Sequence, residues 1–374
     1  MTLSAPATPA RPNDATTRTH AVLVTGAGGE MGHTLLSALA DRHERGGPAV
    51  VALDLRELKP EERQRCHHCV AADVRSPEPF AALAERYAFV EVFHLAAVLS
   101  SGGERNPEAA HAVNVDGTVN VLRFAAEQGR RLGRRVSVLY PSTIAVYGMP
   151  DLATKDAAAP VREEQFCEPI TMYGCNKLYG EHLGRYYSRH YQMLAAERRE
   201  PSIDFRSIRF PGIISAETVP TGGTSDFGPE MLHAAAQRKA YACFVRPDSR
   251  IPFTTMPEAV EALLALAAAD PRRLTRCVYN IESFSPSAEE IAAEVERAFP
   301  GSAITFAPDL RRQAIVDSWP AHLDDSAARR DFGWRPRHDL RSAFETYLAP
   351  RIAARYAGPG ADGAPAPMSG PPCG

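Results

Sequence analysis

The sequence predicts an α/β protein built on a doubly wound parallel sheet, with a smaller lobe towards the carboxyl terminus. Two observations point to this fold class. Short apolar runs recur without regular polar alternation, which is typical of strands that are buried on both faces. Helical patterns separate most of these runs, and repeated strand–helix units form parallel sheets with helices on both faces.

Six apolar runs in the first 211 residues are predicted to be strands of this sheet. They lie, in chain order, at residues 21–25, 49–54, 69–73, 90–95, 135–140 and 205–210. Between them, apolar residues recur at helical spacing at residues 31–43, 107–132 and 172–196. Such spacing is typical of helices that pack one face on a sheet. We therefore expect residues 20–211 to form one α/β domain.

The spacing of the apolar runs loosens after residue 211. Short strands are predicted at residues 242–245 and 278–281, together with several helices. We expect residues 212–356 to form mainly a smaller lobe on the carboxyl edge of the sheet, with some elements returning to the sheet. Proline-rich stretches at residues 150–169 and 217–229 are predicted to be loops over the functional site.

The composition argues against several classes of protein. Lys and Arg number 42 against 45 Asp and Glu, so the formal net charge is −3 and no basic field is available to hold nucleic acid. No apolar run approaches the ~18 residues that a membrane span requires. Seven scattered cysteines, an odd number, favour a reducing compartment and a cytoplasmic location over a disulfide framework.

Both ends of the chain are predicted to be disordered extensions. Residues 1–19 are rich in Ala, Thr, Pro and Arg and lack the apolar segment of a secretory signal. Residues 357–374 consist mostly of Gly, Pro and Ala, which bury too little apolar surface to offset the entropy of ordering.

A glycine-rich turn follows the first predicted strand and opens the first predicted helix. Gly26, Gly29 and Gly32 are spaced three residues apart and enclose Glu30 and Met31. The first glycine allows a tight turn, the second lets the backbone approach a pyrophosphate, and the third lets the helix pack closely. The amino terminus of the helix then faces the phosphates. The sequence therefore predicts a dinucleotide site of the Rossmann type.

Acidic residues at the ends of the next two strands indicate which dinucleotide binds. Asp54 ends the second strand, where a carboxylate accepts hydrogen bonds from the adenosine ribose and repels the 2′-phosphate of NADP. We therefore predict NAD as the cofactor and interpret nearby Arg56 as a solvated side chain. Asp73 and Val74 end the third strand, either beside the adenine or as an ordinary polar strand end.

A tyrosine and a lysine four residues apart begin the helical pattern at residue 172. Tyr173 and Lys177 share a helix face, and a neighbouring ammonium favours the phenolate that a general base requires. Lys177 is also placed to hold the nicotinamide ribose. Ser142 and Thr143 follow the fifth strand and offer hydroxyls to a reacting oxygen. Any one of these motifs can occur by chance. Their combination in this order, glycine turn, then hydroxyls, then the Tyr-Lys pair, is much rarer and therefore indicates an active site.

With His-Leu-Ala-Ala at residues 94–97 and with Asn114, these motifs resemble those of the extended short-chain dehydrogenases/reductases. Within that family, the chain resembles the epimerase-like, NAD-dependent L-threonine 3-dehydrogenases from about residue 20 to residue 350. The closer resemblance lies in the segments 140–148, 209–215, 222–226, 279–281, 283–286, 313–320, 324–326 and 331–334.

The resemblance implies oxidation of the 3-hydroxyl of L-threonine to 2-amino-3-oxobutyrate, or of a related β-hydroxy-α-amino acid. Tyr173 is then the base, Lys177 lies beside it, and Thr143 or Ser142 is the hydroxyl partner. The residues implied at the cofactor also include Leu95, Ala96, Ala97, Asn114 and Pro211. Those implied at the substrate are Ser100, Thr143, Tyr173, Gly212, Thr224, Ser225 and Asp226. A homodimer formed through the long helices is also implied.

The chain departs from this pattern in two places. Phe253 replaces a flexible side chain and Thr255 stands where the family usually has a tyrosine, so the substrate pocket is predicted to be enlarged at Thr255. Arg250 of the same segment is also predicted to contact the substrate. Residues 192–201 resemble an insertion after the catalytic helix. The alternative function is that of a nucleotide-sugar epimerase, dehydratase or decarboxylase, with Arg246 and Arg250 contacting a nucleotide diphosphate. A third is an NAD-binding sensor without turnover.

The remaining motifs are interpreted as structural. Residues 66–69 read Cys-His-His-Cys, but four adjacent residues before a strand cannot easily enclose one zinc ion. No metal site is therefore expected. Cys175 and Trp319 are interpreted as packing side chains.

Overall fold

The computed structural model describes residues 18–196 and 200–357. Residues 1–17 and 358–374, which cover most of the two predicted extensions, lie outside the described residues, as do residues 197–199 of the predicted insertion. The strands are β1 (Thr19–Thr25), β2 (Ala49–Asp54), β3 (His68–Ala71), β4 (Tyr87–His94), β5 (Val136–Thr143), β6 (Ile203–Phe210), β7 (Gly212–Ile214), β8 (Tyr241–Cys243), β9 (Phe253–Thr255), β10 (Val278–Asn280) and β11 (Ile304–Phe306).

Helices connect these strands. In chain order they are α1 (Glu30–Glu44), α2 (Pro60–Arg63), α3 (Glu78–Arg86), α4 (Ser100–Arg105), α5 (Pro107–His111), α6 (Gly117–Leu132), α7 (Leu152–Ala157), α8 (Met172–Arg189), α9 (Phe227–Ala236), α10 (Met256–Ala268), α11 (Ala288–Ala298), α12 (Leu310–Asp317), α13 (Ser326–Asp331), α14 (Leu340–Ala343) and α15 (Ala349–Ala357).

Seven strands form one parallel sheet in the order β10-β6-β5-β4-β1-β2-β3. The chain runs outwards from β1 through β2 to β3 and then returns to place β4 beside β1. The strand order therefore reverses between β1 and β4, and ligands of open α/β sheets bind outside the carboxyl ends of the strands at such a point. The predicted doubly wound parallel sheet is confirmed.

The two faces of the sheet are covered by separate apolar clusters. Along β1, Leu23 packs on the side of α3 and α6, whereas Val22 and Val24 pack on the side of α1 and α10. Successive side chains of a strand point to opposite faces, so a strand buried on both faces must be apolar at every position. This requirement explains the uninterrupted apolar runs of the sequence.

A third apolar cluster fills the smaller lobe, where β7 pairs with β9 and β8 pairs with β11. Residues 278–281 were predicted to be a short strand after residue 211, where some elements were expected to return to the sheet. Val278–Asn280 form β10, which pairs with β6 and is the seventh strand of the main sheet, so this element does return to it. Only three residues pair there, so their run is too short to be distinguished from a lobe strand by its sequence.

Two predicted helices differ from the structure in detail. The pattern over residues 107–132 is helical throughout, but a π-type turn at Ala112–Asp116 separates α5 from α6. The pattern over residues 172–196 predicted too long a helix, because α8 ends at Arg189. Gln192 beyond it has a φ of 54°, which no helix accommodates.

Candidate active site

A cleft of about 850 Å³ opens at the carboxyl edge of the sheet, where the strand order reverses. Its walls are the glycine turn after β1, the loops after β2, β4 and β5, the first turn of α8, and residues 221–226 of the smaller lobe. The cleft is large enough for a dinucleotide together with a small substrate, because ligand pockets of drug-sized molecules measure ~300–1,000 Å³.

The glycine turn leaves no room for side chains. Gly26 has a φ of 67°, and a Cβ atom there would lie 2.5 Å from the backbone nitrogen of Ala96. A Cβ atom on Gly32 would lie 2.2 Å from the carbonyl oxygen of Ala27. Gly29 instead faces the cleft as the residue before α1, beside Glu30 and Met31. The turn therefore presents bare backbone and a helix amino terminus to the cleft, which fits a pyrophosphate.

The carboxylate of Asp54 lies beside this turn at the end of β2. Its Oδ2 accepts a hydrogen bond from the amide of Gly28 (2.9 Å), and its Oδ1 accepts one from the amide of Arg56 (3.1 Å). These bonds hold a negative charge where a nucleotide ribose would lie. The residues present therefore fit NAD better than NADP.

Asp73 and Val74 line the same end of the cleft, but they follow β3 instead of ending it. Arg75 donates two side-chain hydrogen bonds to Asp73, 2.6 and 2.8 Å long, and these hold the pKa of that carboxyl below its usual range. Asp73 is therefore a paired carboxylate at the rim of the cleft.

Beneath the cleft, a buried histidine connects β1, β4 and α6. The hydroxyl of Thr118 donates to the carbonyl oxygen of Asn114 (2.6 Å), so its oxygen accepts from Nε2 of His94 (2.9 Å). Nδ1 of His94 then accepts from the Thr25 hydroxyl (2.7 Å). Burial, together with the charge of Lys177, lowers the pKa of His94 to about 3. A neutral histidine therefore joins the elements that carry the cleft.

Leu95, Ala96 and Ala97 line the cleft directly after β4. Asn114 does not, which corrects the prediction that it contacts the cofactor. Its amide instead pairs with the backbone of Val98, accepting from the nitrogen (2.8 Å) and donating to the oxygen (3.0 Å). Asn114, which lies in the π-type turn, therefore fixes the loop after β4 that lines the cleft.

Tyr173 lies in the first turn of α8, at the centre of the cleft. The Thr171 hydroxyl caps this helix by accepting from the amide of Gly174 (3.1 Å), which fixes where the helix starts. Burial raises the pKa of Tyr173 well above its usual range, whereas the nearby Thr143 hydroxyl acts in the opposite direction. The predicted lowering of this pKa by Lys177 is not among its causes.

Lys177 is 3% exposed and lies one turn further along α8. Its Nζ donates to the carbonyl oxygen of Pro141 (2.7 Å) and lies 5.8 Å from the centre of the Tyr173 ring. Burial lowers the pKa of Lys177 to about 7, against the opposing influence of Glu181. An ammonium that loses its proton near neutral pH lies beside the phenol, in an arrangement suited to proton transfer.

Of the two hydroxyls after β5, the structure brings only that of Thr143 to Tyr173. Ser142 borders the cleft, but its hydroxyl donates to Oε1 of Glu181 (2.5 Å), which corrects the prediction that it serves the reacting oxygen. Successive residues of a strand point to opposite sides, so only one of the pair can face Tyr173. The sequence analysis did not single out Glu181, although the spacing of Tyr173, Lys177 and Glu181 places all three on one helix face.

A loop of the smaller lobe closes the substrate end of the cleft. Thr224 shares a hydrogen bond with Ser100 (3.1 Å), and Oδ2 of Asp226 accepts from the amide of Gly223 (2.6 Å). Thr224, Ser225, Asp226, Gly212 and Pro211 all line the cleft. Burial of the carboxyl and the charge of Asp226 raise the pKa of Glu30 to about 7, so the loop faces the first turn of α1.

Two predicted substrate residues lie elsewhere. Arg250 is outside the cleft because its guanidinium pairs with Glu290 (2.9 Å) and donates to the carbonyl oxygen of Ser285. Thr255 is 1% exposed, and its hydroxyl donates to Glu258 (2.8 Å) at the start of α10. The prediction that a small residue at position 255 enlarges the substrate pocket was therefore wrong.

Arg246 and Arg250, which were predicted to contact a nucleotide diphosphate in the alternative function, are both paired with carboxylates of this chain. Arg246 donates to both carboxylate oxygens of Asp317, at 2.9 and 3.0 Å, and like Arg250 it does not line the cleft. Residues 150–169 do not line it either, although the sequence predicted a covering loop there; Val161 instead pairs with Leu323.

The packing interpretation of Trp319 is confirmed, whereas that of Cys175 is wrong. Trp319 is 4% exposed and belongs to the apolar cluster of the lobe, yet its side also borders the cleft. Cys175 is exposed on α8 instead of filling the core. Trp319 thus places an aromatic side chain of the lobe at the edge of the cleft, which its surrounding sequence did not predict.

The residues of the Cys-His-His-Cys segment form hydrogen bonds outside the segment. Cys66 donates to the carbonyl oxygen of Glu62, and His67 contacts Nε2 of His43 at 2.9 Å. Over residues 18–196 and 200–357, no group of three or more His, Cys, Asp or Glu is arranged to hold a metal ion. Nor does any helix of these residues have the length and apolarity to cross a membrane.

Comparison with known proteins agrees with this geometry. A model of the NAD dependent epimerase/dehydratase family matches residues 22–281. The mitochondrial L-threonine 3-dehydrogenase of Bos taurus is 35% identical over 329 residues, which cover 87% of this chain and 81% of that protein.

Two solved structures are similar along nearly their whole length. A monomeric L-threonine 3-dehydrogenase from a metagenome superposes with a TM-score of 0.77 at 33% identity, covering 89% of this chain and 99% of that one. The GalE-like L-threonine dehydrogenase of Cupriavidus necator, in its holo form, gives a TM-score of 0.77 at 32% identity with the same coverage. The chain therefore belongs to the NAD dependent epimerase/dehydratase family of extended short-chain dehydrogenases/reductases.

Proposed function

We propose that the protein is an NAD-dependent dehydrogenase that oxidises the 3-hydroxyl of L-threonine, or of a closely related β-hydroxy-α-amino acid. The observation that carries this proposal is the placement of Thr143, Tyr173 and Lys177 opposite the glycine turn in one cleft. The similarity to three threonine dehydrogenases over most of the chain supports the choice of substrate.

The proton of the substrate hydroxyl passes to Tyr173 in this proposal. NAD⁺, held by the residues of the glycine turn and Asp54, would supply the hydride acceptor for C3 of the substrate and a positive ring that favours the phenolate. Thr143 holds the reacting oxygen against the tyrosine, and the Lys177 ammonium stabilises the phenolate charge. The products are 2-amino-3-oxobutyrate, NADH and one proton, so electrons and protons balance.

The loop at residues 221–226 is proposed to recognise the amino acid. Hydroxyls of Ser100, Thr224 and Ser225 suit the substrate carboxylate, and Asp226 suits the ammonium. Ser101 donates to the carbonyl oxygen of Gly222 (2.7 Å), which ties this loop to α4. The loop therefore connects the NAD side of the cleft, within residues 20–211, to the lobe formed mainly by residues 212–356.

NAD is proposed to bind along the carboxyl edge of the sheet. Gly26, Gly29 and Gly32, with Glu30 and Met31, would receive the pyrophosphate, and Asp54 the adenosine ribose. Asp73 and Val74 border the adenine end of the cleft, whereas Leu95, Ala96, Ala97 and Pro211 border the remainder. Lys177 would hold the nicotinamide ribose.

The test is NADH formation from NAD⁺ and L-threonine, beside a panel of 3-hydroxy amino acids. Tyr173→Phe should retain NAD binding and lose ~10²–10⁴-fold in kcat, because general-base catalysis contributes about that factor. Tyr186→Phe, on the exposed side of the same helix, is the matched control and should keep wild-type activity. Full activity of Tyr173→Phe would remove this tyrosine from the mechanism.

We also propose a homodimer and a cytoplasmic location. Tyr179 (50% exposed) and Tyr186 (43% exposed) give α8 an aromatic outer face suited to a second copy. The six described cysteines are free thiols, which supports a reducing compartment. Light scattering after gel filtration measures the oligomeric state, and a monomer, as described for the metagenome relative, refutes the homodimer.

Imaging of a fluorescent fusion in the source cell tests the cytoplasmic location.

A further inference from the structure

The ammonium of Lys177 rests on the ring of Tyr140. Nζ lies 4.4 Å from the centre of that ring, nearer than its 5.8 Å to the ring of Tyr173. Both Tyr140 and Lys177 are almost fully buried, at 1% and 3% exposure. A cation within about 6 Å of a ring centre is attracted to the ring face, most strongly where water is excluded.

Few other groups can compensate this charge. Glu181 lies one helical turn beyond Lys177, but its carboxylate accepts two hydrogen bonds from Arg209 (2.9 and 2.7 Å) and one from Ser142 (2.5 Å). Its negative charge is therefore already paired with a guanidinium. His94 of β4 faces the ammonium as a neutral ring, since its pKa is lowered to about 3. The carbonyl oxygen of Pro141 and the Tyr140 ring remain as the direct partners.

Packing fixes the ring under the helix. A Cβ atom on Gly180 would lie 2.2 Å from the hydroxyl oxygen of Tyr140, so only glycine at this position lets the ring lie there. The centres of the Phe205 and His94 rings lie 5.7 and 6.0 Å from the centre of the Tyr140 ring. The hydroxyl itself makes no hydrogen bond of normal geometry to a described residue, its polar neighbour being Thr118. The ring, and not the hydroxyl, is thus what Lys177 contacts.

We propose that Tyr140 is a positioning residue, whose ring face holds the Lys177 ammonium and directs its free N–H groups towards Tyr173 and the cleft. An ammonium has three N–H donors. One of them donates to the carbonyl oxygen of Pro141, and the face of the Tyr140 ring lies against the ammonium. This inference rests on the proposed role of Lys177 in the dehydrogenase reaction. It adds a residue to the machinery that touches neither substrate nor cofactor.

A titration of Lys177 tests the contact without substrate or cofactor. The chain contains four lysines, at positions 59, 155, 177 and 239, so the side-chain NMR signals of ¹³C-labelled lysine in the full-length protein are few and can be assigned by Lys→Arg variants. Removal of the ring in Tyr140→Leu should lower the titration midpoint of Lys177, now about 7, by about one pH unit. Tyr140→Phe, which keeps the ring, should leave it unchanged. Lys155, with a pKa of about 8, is an internal control that should not move.

A shape-preserving comparison covers the case in which Tyr140→Leu fails to fold. Phenylalanine at position 140 is compared with pentafluorophenylalanine at the same position, which keeps the shape and reverses the charge distribution of the ring. The fluorinated protein should show the lower Lys177 midpoint. Equal midpoints in this pair, or a Lys177 midpoint in Tyr140→Leu equal to that of the wild type, would overturn the proposal.

Activity provides an independent readout. If Lys177 supports a phenolate, the rise of kcat/KM with pH should move to higher pH in Tyr140→Leu and stay in place in Tyr140→Phe. A merely structural role would lower kcat at every pH without moving this limb. Wild-type protein that forms no NADH refutes the proposed function, whereas the lysine titration still decides whether the ring holds Lys177.

Discussion

Removing Arg209 alone should destabilise the protein more than removing Arg209 and Glu181 together. Their side chains are 3% and 1% exposed, and two N–H···O bonds of 2.9 and 2.7 Å join them. In Arg209→Met, the Glu181 carboxylate stays buried with only the Ser142 hydroxyl as a partner. In Arg209→Met with Glu181→Leu, both members of the ion pair are removed, so neither leaves the other as an unpaired buried charge.

The magnitude follows from the cost of an unpaired buried charge. Breaking a buried ion pair from one side costs ~3–5 kcal/mol. The double variant removes a hydrogen-bond partner from two neutral groups. The Ser142 hydroxyl loses Glu181, and the Glu163 carbonyl oxygen loses Arg209 (2.6 Å) but still accepts from the Cys167 thiol (3.3 Å). Either group can turn to a new partner more readily than a carboxylate can, so we expect the double variant to be ~1–2 kcal/mol more stable than Arg209→Met. The single substitution should lower Tm by on the order of 6–10 °C, at roughly 2 °C per kcal/mol for a chain of this length.

Urea unfolding followed by circular dichroism measures the stability of Arg209→Met, of Glu181→Leu and of the double variant. Arg341→Met is the control, because Arg341 and Glu345 form an exposed pair (61% and 56%) on the surface, and it should leave the midpoint in place. The reasoning is refuted if Arg209→Met loses less than about 1 kcal/mol, or if the double variant loses the sum of the two single losses.

Three further predictions test the cofactor end, the buried histidine and the revised substrate pocket. Asp54→Ala should raise the KM for NAD and relax the preference over NADP; an unchanged ratio of kcat/KM would show that another residue reads the ribose. Since the pKa of His94 is lowered from 6.5 to about 3, the unfolded chain binds more protons across that range, and stability is lost as pH falls through it. His94→Asn should flatten this loss by up to about 1.4 kcal/mol per pH unit in urea titrations, and an unaltered slope would contradict the assignment. Thr255→Ala should cost ~1 kcal/mol as a lost helix cap with KM for threonine unchanged, whereas a raised KM would return Thr255 to the substrate pocket.

The features that the sequence predicted well are local ones. A glycine turn between a strand and a helix, a Tyr-Lys pair at four-residue spacing and apolar runs of strand length all follow from backbone geometry over a few residues. The observed β1, β2 and α1 accordingly lie within two residues of the predicted boundaries. The end of α8 was predicted too late in the chain, because the residues after Arg189 continue the apolar spacing of the helix and no local signal marks where it stops.

Residue patterns and motif spacing were therefore sufficient to predict the fold class, the family and the position of the candidate cleft. Which polar side chains reach that cleft depends instead on the packing of elements that are distant in the sequence. Ser142 turns to Glu181, 39 residues away, and Arg250 turns to Glu290, so neither is free to serve the site. Conversely, Tyr140 supports Lys177 across the gap between β5 and α8. A hydroxyl or a guanidinium binds whichever partner packing brings within about 3 Å, and residue type and spacing do not specify that partner.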